Sequence, residues 1–329
     1  MVKIKVAING FGRIGRTFLR TVLNHDLLEV VAINDLASPE VMSHLLKYDS
    51  IHGVLPDEVS FEASAITVNG RRIAFTNHKT IEELNWDGID VVIESTGKFK
   101  TRPQLGKHLV AGAKKVILSC PPNDESIKMI ILGINDNLLT TNDTIVSNAS
   151  CTTNNAAPMI KVLDKLCGIE QAYITTVHSY TSDQSLHDQP HVDLRRARAA
   201  GQSIVPTTTG AAKALTKVFP HLRDVIGGCG IRVPVPNGSL TDMTINVKRE
   251  TSIEEVNLAF KNFSVKNPTI LSYTAVPLVS IDISGLPYSC IFDSQMTSVI
   301  GKMVKLIGWY DNESGYSNRL KDLALKITS

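Results

Sequence analysis

The segment Ser147-Asn148-Ala149-Ser150-Cys151-Thr152-Thr153-Asn154 places a cysteine just after a β-rich run and at the start of a helical one. A helix N-terminus favours negative charge, so a thiol there is expected to ionise more readily than in water. The hydroxyls of Ser150, Thr152 and Thr153 can cap the helix or bind an anion. Spacing alone leaves Cys151 open between a nucleophile and a small buried hydrophobe. Cys120, Cys167, Cys229 and Cys290 sit in apolar or Gly/Pro settings without comparable signals. A nucleophilic thiol needs a base. His178 ends the β-rich run 173–177 and enters the polar segment 179–183, a place from which it can reach a cysteine elsewhere in the fold. There are 9 histidines, and spacing does not choose among them; His52, His187 and His191 lie in polar loops and are simplest as solvated residues.

The second chemical signal is Gly10-Phe11-Gly12-Arg13-Ile14-Gly15, a GxGxxG sequence. It follows a β-rich run, opens a helical pattern, and is followed 20 residues after Gly15 by Asp35, at the end of the next β run. Gly10 permits the tight turn, Gly12 lets backbone approach a pyrophosphate, and Gly15 allows close helix packing. The helix N-terminus then offers free N–H groups to the phosphates. Asp35 can accept from ribose hydroxyls and would repel a 2′-phosphate, which favours NAD over NADP. Leu36-Ala37-Ser38 brings no basic residue to hold such a phosphate.

These residues need a scaffold, and the chain supplies two patterns. Over residues 1–150, short apolar β runs (3–9, 28–34, 90–94, 115–119, 129–134 and 144–147) alternate with helical stretches such as 13–24. Continuous apolar runs suit strands buried on both faces, so a doubly wound, Rossmann-like parallel sheet is predicted. After Ser150 the character changes. Residues 151–167 read as a helix with an apolar stripe (Met159, Ile160, Leu163, Leu166), and Pro158 inside it could kink it. Long alternating strands follow at 172–180, 241–248 and 299–310, a helix opens with the capping-box pair Ser252 and Glu255, and 316–327 reads as a last helix. The second half, 151–315, is predicted to be an α+β domain with a mainly antiparallel sheet.

Length and composition agree with two ordinary globular domains: 329 residues, 43% hydrophobic and 20% charged. A net charge of +2 argues against nucleic acid as a primary partner. No apolar run approaches the roughly 18 residues that span a bilayer, and the N-terminal run lacks a signal core. The 5 cysteines include no metal-ligand or CxxC spacing, so no metal is expected, and reduced thiols in a cytoplasm fit best.

Taken together, Asn9-Gly-Phe-Gly-Arg-Ile-Gly-Arg16, Ala149-Ser-Cys-Thr-Thr-Asn154, His178-Ser-Tyr-Thr181, Thr208-Thr-Gly-Ala-Ala-Lys213, Arg232-Val-Pro234 and Trp309-Tyr-Asp-Asn-Glu313 resemble the glyceraldehyde-3-phosphate dehydrogenase family, in that family's order and over essentially the whole chain. The resemblance implies a homotetramer, an N-terminal NAD domain to which a C-terminal helix (316–329) returns, and a catalytic domain. It implies Cys151 as nucleophile and His178 as base. Thr181 and Arg232 match residues that bind the substrate's phosphate. Ser150, Thr152, Thr209 and Gly210 match the inorganic-phosphate site, and Arg195 matches the arginine between the two. Arg196 reads more simply as part of a solvated basic loop. Arg13, Ile14, Asp35 and Ser119 match cofactor contacts, and Asn312 matches the residue holding the nicotinamide carboxamide. The implied reaction is NAD-dependent oxidation of glyceraldehyde 3-phosphate, with inorganic phosphate, to 1,3-bisphosphoglycerate through a Cys151 thioester. Departures are Asn155, where many members carry a second cysteine, Cys120 beside the expected cofactor site, and Asn77-His78-Lys79 near the expected adenine. The alternatives are erythrose 4-phosphate as substrate, NADP as cofactor, or a non-enzymatic RNA-binding role.

Overall fold

The computed structural model describes residues 3–329; Met1 and Val2, with which the predicted first domain begins, lie outside the described residues. The chain divides into two units, one of Met1–Ala149 with Ser317–Ser329 and one of Ser150–Tyr316.

Unit 1 is built on a nine-stranded sheet. Its strands are β1 (Ile4–Asn9), β2 (Leu28–Asn34), β3 (Val59–Glu62), β4 (Ala65–Val68), β5 (Arg71–Thr76), β6 (Val91–Glu94), β7 (Lys115–Leu118), β8 (Lys128–Met129) and β9 (Ile145–Ser147). Their order is β8-β9-β7-β6-β1-β2-β5-β4-β3. All pairings from β8 to β5 are parallel, and β3 and β4 add an antiparallel edge. Val6, Ala7 and Ile8 of β1 and Val91, Val92 and Ile93 of β6 are fully buried, as continuous apolar runs require. The chain steps from β1 to β2 on one side and to β6 on the other. The switch point between β1 and β6 is where a parallel α/β sheet opens a crevice at its strands' carboxyl ends. Helix α1 (Arg13–Val22) starts there, α2 (Pro39–Lys47) follows β2, and α3 (Arg102–Val110) lies between β6 and β7. The run 129–134 yields only the short β8, because Gly133 takes φ +75° and the chain turns. The ribbon β3–β5 was not expected, since polar residues interrupt its apolar pattern.

In unit 2, α4 (Cys151–Cys167) leads into β10 (Ile169–Ser179), β11 (Val205–Thr207), α5 (Ala211–Val218), β12 (Ile226–Val233), β13 (Ser239–Val247), α6 (Ile253–Lys266), β14 (Leu271–Thr274), β15 (Cys290–Asp293), β16 (Ser298–Ile300) and β17 (Met303–Tyr310). The eight strands run β11-β12-β10-β13-β17-β15-β14, with β16 paired to β17. Only β10/β12 and β14/β15 are parallel; the other pairings are antiparallel, the mainly antiparallel sheet expected of this half. The predicted strand 299–310 is a hairpin, because Gly301 at φ +57° turns the chain between β16 and β17. Ser252 caps α6 by accepting from Glu255 N at 3.2 Å, but the Glu255 carboxylate turns to Arg249 and Thr251, so only half of the expected capping box forms. Pro158 lies within α4 without ending it. The final helix α7 (Ser314–Thr328) starts in unit 2 and finishes in unit 1.

Candidate active site

Cys151 is the first residue of α4, whose N-cap Ser150 accepts from Thr153 N at 3.1 Å. No acidic residue occupies the first turn, so the positive end of the helix is uncompensated. β10 carries His178 to its end, and the Cys151 Sγ to His178 Nε2 distance is 3.5 Å. The parallel register of β10 and β12 sets His178 directly beside Arg232, a pairing the sequence did not reveal. Arg232 Nη1 lies 2.6 Å from His178 Nδ1 and donates to Ser179 O at 3.0 Å, while Nδ1 is 2.7 Å from that same oxygen. Nδ1 therefore stands between a group that can only donate and one that can only accept.

Burial pushes the Cys151 thiol above its ordinary value; the Arg232 cation, with the Thr152 N–H and hydroxyl, opposes this without prevailing. Burial, and then Arg232, push His178 down to about 3, with the Ser179 carbonyl pulling the other way. The guanidinium and the Thr152 donors favour the thiolate, as a helix start does, and desolvation of the sulfur works against them.

Tyr310, at the end of β17, closes the site from beneath. Its Oη lies 2.9 Å from Thr152 Oγ1 and 3.0 Å from Thr176 Oγ1, and its ring meets His178 edge-on with centroids 5.9 Å apart. Thr152 is buried, with its hydroxyl within hydrogen-bond distance of Tyr310 Oη. Asn312 Oδ1 accepts from Ser179 Oγ at 2.7 Å and Ser239 Oγ at 3.2 Å. Those bonds fix the amide's orientation and leave Nδ2 as a donor, which suits a carboxamide oxygen.

Thr209 and Gly210 sit at the start of α5, again with no acid in the first turn; Thr209 Oγ1 accepts from Ala211 N at 3.2 Å. Thr181 lies two residues beyond β10, half-buried. The arginines are a correction. Arg195 is exposed, its guanidinium without a partner among the described residues. Arg196 is the one anchored: it donates to Thr207 Oγ1 at 2.9 Å, to Thr208 O at 3.3 Å and to Asp183 at 2.8 Å. Its charge also helps to lower His178. The solvated-loop reading of Arg196 thus gives way, and adjacent identical residues gave no signal to separate the two.

Unit 1 holds a groove of about 210 Å³ at the switch point, lined by Gly10, Gly12, Asp35, His78 and Thr96 among others. Gly10 takes φ +93°, and a Cβ there would lie 2.6 Å from Thr96 N. A Cβ on Gly15 would lie 2.4 Å from Gly10 O, so that glycine is needed where the helix meets the turn. A Cβ on Gly12 would meet nothing within 4 Å, as befits a backbone that a phosphate approaches. Phe11 N donates to Asp35 Oδ2 at 2.7 Å and Ala37 N to Oδ1 at 3.0 Å, which tethers the glycine turn to the Asp35 carboxylate. Ile14 is half-buried in the first turn of α1, and Ser119 stands at the end of β7 with its N–H on Glu94 O. The Arg13 guanidinium is committed to Asp49 at 2.7 and 3.1 Å, so only its backbone faces the groove's chemistry. The residues present fit a dinucleotide. Among the described residues no cluster of three or more His, Cys, Asp or Glu could hold a metal ion.

Comparisons with known proteins agree with this geometry. Residues 4–102 match the model of the glyceraldehyde 3-phosphate dehydrogenase NAD binding domain, and residues 150–312 that of the C-terminal domain. The chain is 50% identical over 330 residues to glyceraldehyde-3-phosphate dehydrogenase 2 of Streptomyces avermitilis, covering 98% of each chain. It is 50% identical over 331 residues to glyceraldehyde-3-phosphate dehydrogenase of Geobacillus stearothermophilus, covering 99% of this chain and 98% of the relative. With glyceraldehyde-3-phosphate dehydrogenase 1 of Bacillus subtilis the identity is 49% over 329 residues, 98% of each.

Proposed function

Because the chain belongs to the glyceraldehyde-3-phosphate dehydrogenase family, whose NAD-dependent oxidoreductase activity in glycolysis it shares, we propose that Cys151, His178 and Arg232 are its reaction centre and that inorganic phosphate is its second substrate. The observation that carries this reading is the 3.5 Å approach of Sγ to Nε2 beside a guanidinium. For Nε2 to accept the thiol proton, Nδ1–H must donate to Ser179 O. Arg232 must therefore leave Nδ1, and the substrate's phosphate is the group that draws it off. The thiolate attacks the aldehyde carbon, and the Cys151 N–H at the head of α4 stabilises the alkoxide. NAD, when bound, supplies the acceptor for the aldehyde's hydride. His178 first gives its proton to that alkoxide, then takes it back from the hemithioacetal hydroxyl as the hydride leaves, and a thioester is left on Cys151. Phosphate attacks that thioester and regenerates the thiol as the acyl phosphate departs; Thr209, Gly210 and Arg196 offer its donors.

We hold Gly10 to Gly15, Asp35 and Ser119 to be the cofactor residues of unit 1, and Asn312 the donor for the nicotinamide carboxamide. A homotetramer working in the cytoplasm, with no nucleic-acid partner in its main role, completes the proposal. The near-neutral charge supports the absence of a nucleic-acid partner, the five free cysteines a reducing compartment, and the family likeness alone the tetramer. No helix among the described residues is long and apolar enough to cross a membrane. The test is NADH formation from glyceraldehyde 3-phosphate with and without inorganic phosphate, beside erythrose 4-phosphate and NADP as controls. Phosphate-dependent NADH formation is expected. Oxidation that ignores phosphate, or that persists in Cys151→Ser, would sink the thioester route.

A further inference from the structure

Beneath the groove of unit 1 lies a buried polar chain that the reaction centre does not use. Sheet register lines up Glu94, Asn9, Asn34 and Thr76 at the carboxyl ends of β6, β1, β2 and β5. Glu94 and His108 are fully buried, and Asn9, Asn34 and Trp86 nearly so. The hydrogen bonds have one direction on each side. Trp86 Nε1–H donates to His108 Nδ1 at 2.9 Å. An indole N–H can only donate, so Nδ1 carries no proton and the ring is a neutral Nε2–H imidazole. That proton is donated to Glu94 Oε2 at 3.0 Å. From the other side Thr76 Oγ1 and His78 N donate to Asn34 Oδ1, each at 2.9 Å; Asn34 Nδ2 donates to Asn9 Oδ1 at 2.8 Å; and Asn9 Nδ2 donates to Glu94 Oε2 at 2.6 Å. Glu94 Oε1 accepts from Thr96 N at 2.9 Å and from the Thr96 hydroxyl.

Both ends of this chain are walls of the groove. On one side Glu94 fixes Thr96, against whose N–H the Gly10 turn is packed. On the other, Asn34 brackets His78, accepting from its N–H and donating to its carbonyl at 3.0 Å. A buried carboxylate surrounded only by neutral donors costs desolvation that an apolar cluster would avoid, which weighs against a purely stabilising role. We propose that Glu94 is a positioning residue for dinucleotide binding: its carboxylate is the common acceptor that orients the Asn9 and Asn34 amides and holds the two walls of the NAD groove at a fixed separation. The inference rests on the reading of this groove as the NAD site.

Glu94→Gln is the test. It keeps the shape but points an NH₂ at donors, so at least one of Asn9 Nδ2–H, His108 Nε2–H and Thr96 N–H loses its acceptor. The dissociation constants of NAD and of ADP-ribose are measured by calorimetry, beside the thermal midpoint and the KM for each substrate. In a folded Glu94→Gln protein both ligands are expected to bind about tenfold more weakly or worse, with the KM for NAD rising and that for the aldehyde held within about twofold. Wild-type affinity in the variant would overturn the ladder, as would equal losses for NAD and the aldehyde, the mark of a merely loosened fold. If Glu94→Gln does not fold, Trp86→Phe decides. It removes the N–H together with one ring of a buried indole and frees His108 to change tautomer, so both ligands are expected to bind about threefold more weakly or worse with the KM for the aldehyde held within about twofold, while unchanged binding, or equal losses for NAD and the aldehyde, overturns the inference. Wild-type protein that bound neither ligand would instead refute the cofactor reading itself.

Discussion

Arg232→Met separates two jobs that one guanidinium could be doing. In the unliganded protein Arg232 lies 2.6 Å from His178 Nδ1 and 3.0 Å from Ser179 O. In the reaction it is proposed to hold the substrate's phosphate. Truncating one partner of a hydrogen-bonded charge pair costs about 2–5 kcal/mol when the pair is buried. Arg232 is only partly buried, so the lower part of that range applies, about 2–3 kcal/mol. At 1.36 kcal/mol per decade, kcat/KM for glyceraldehyde 3-phosphate should fall about 30- to 150-fold. Glyceraldehyde without its phosphate feels only the effects on the Cys151–His178 pair. Loss of the cation lets the thiol rise and also lets His178 rise from about 3. These two changes oppose each other in reactivity, so the unphosphorylated aldehyde should change by less than about fivefold. The assay is kcat/KM for both aldehydes at saturating NAD and phosphate. His178 titrates higher in the variant, so the acid limb of its pH profile should move to higher pH. Equal losses for the two aldehydes would refute the phosphate role and leave Arg232 acting only through His178.

His178→Asn should slow acylation about 10²- to 10⁴-fold, read as the pre-steady-state burst of NADH; an unchanged burst across neutral pH would remove His178 as base. Arg196→Met should raise the KM for inorganic phosphate about tenfold, whereas Arg195→Met should leave it within about twofold; the reverse pattern would restore the sequence-based assignment. Asp49 links electrostatics to stability. Burial alone would raise its carboxyl, but Arg13 and the N–H groups of His52 and Ile51 outweigh this and hold it at about 2, below the unfolded 3.8. A depressed carboxyl stabilises above the unfolded pKa, and the benefit is lost as pH falls from about 4 to 2. Asp49→Asn should therefore cost about 2 kcal/mol at neutral pH and little near pH 2, measured by denaturant unfolding of both proteins at each pH.

The sequence carried the strand ends, the glycine turn and the thiol's place at a helix start because each is a local signal. Asn34 and Asp35 follow one apolar run, and Ser150-Cys151 precedes another pattern, so position along the chain suffices. Partners set by register were hidden. His178 and Arg232 are 54 residues apart and meet only because β10 and β12 pair in parallel. Tyr310 was inside a quoted motif, yet its role depends on Thr152 and Thr176, which come from two other elements. Arg195 and Arg196 differ only in which way a loop turns, and nothing in a basic run records that. The balance of influences on the thiol was legible only in part, for a related reason. Helix position is local, but burial is a property of the packed protein.

Unit 1 is closed by residues from the far end of the chain, since Ser317–Ser329 belongs with Met1–Ala149 and Lys326 pairs with Asp136. During synthesis the nucleotide-binding half emerges first yet lacks its closing helix until all of residues 150–316 have followed. At about 5–20 residues per second that interval is on the order of 10–30 s. Throughout it the pocket vacated by Leu320, Leu323 and Ala324, all fully buried in the finished fold, stays open on the ribosome. The second half is contiguous and can close in one pass, so the order of synthesis and the order of completion are reversed.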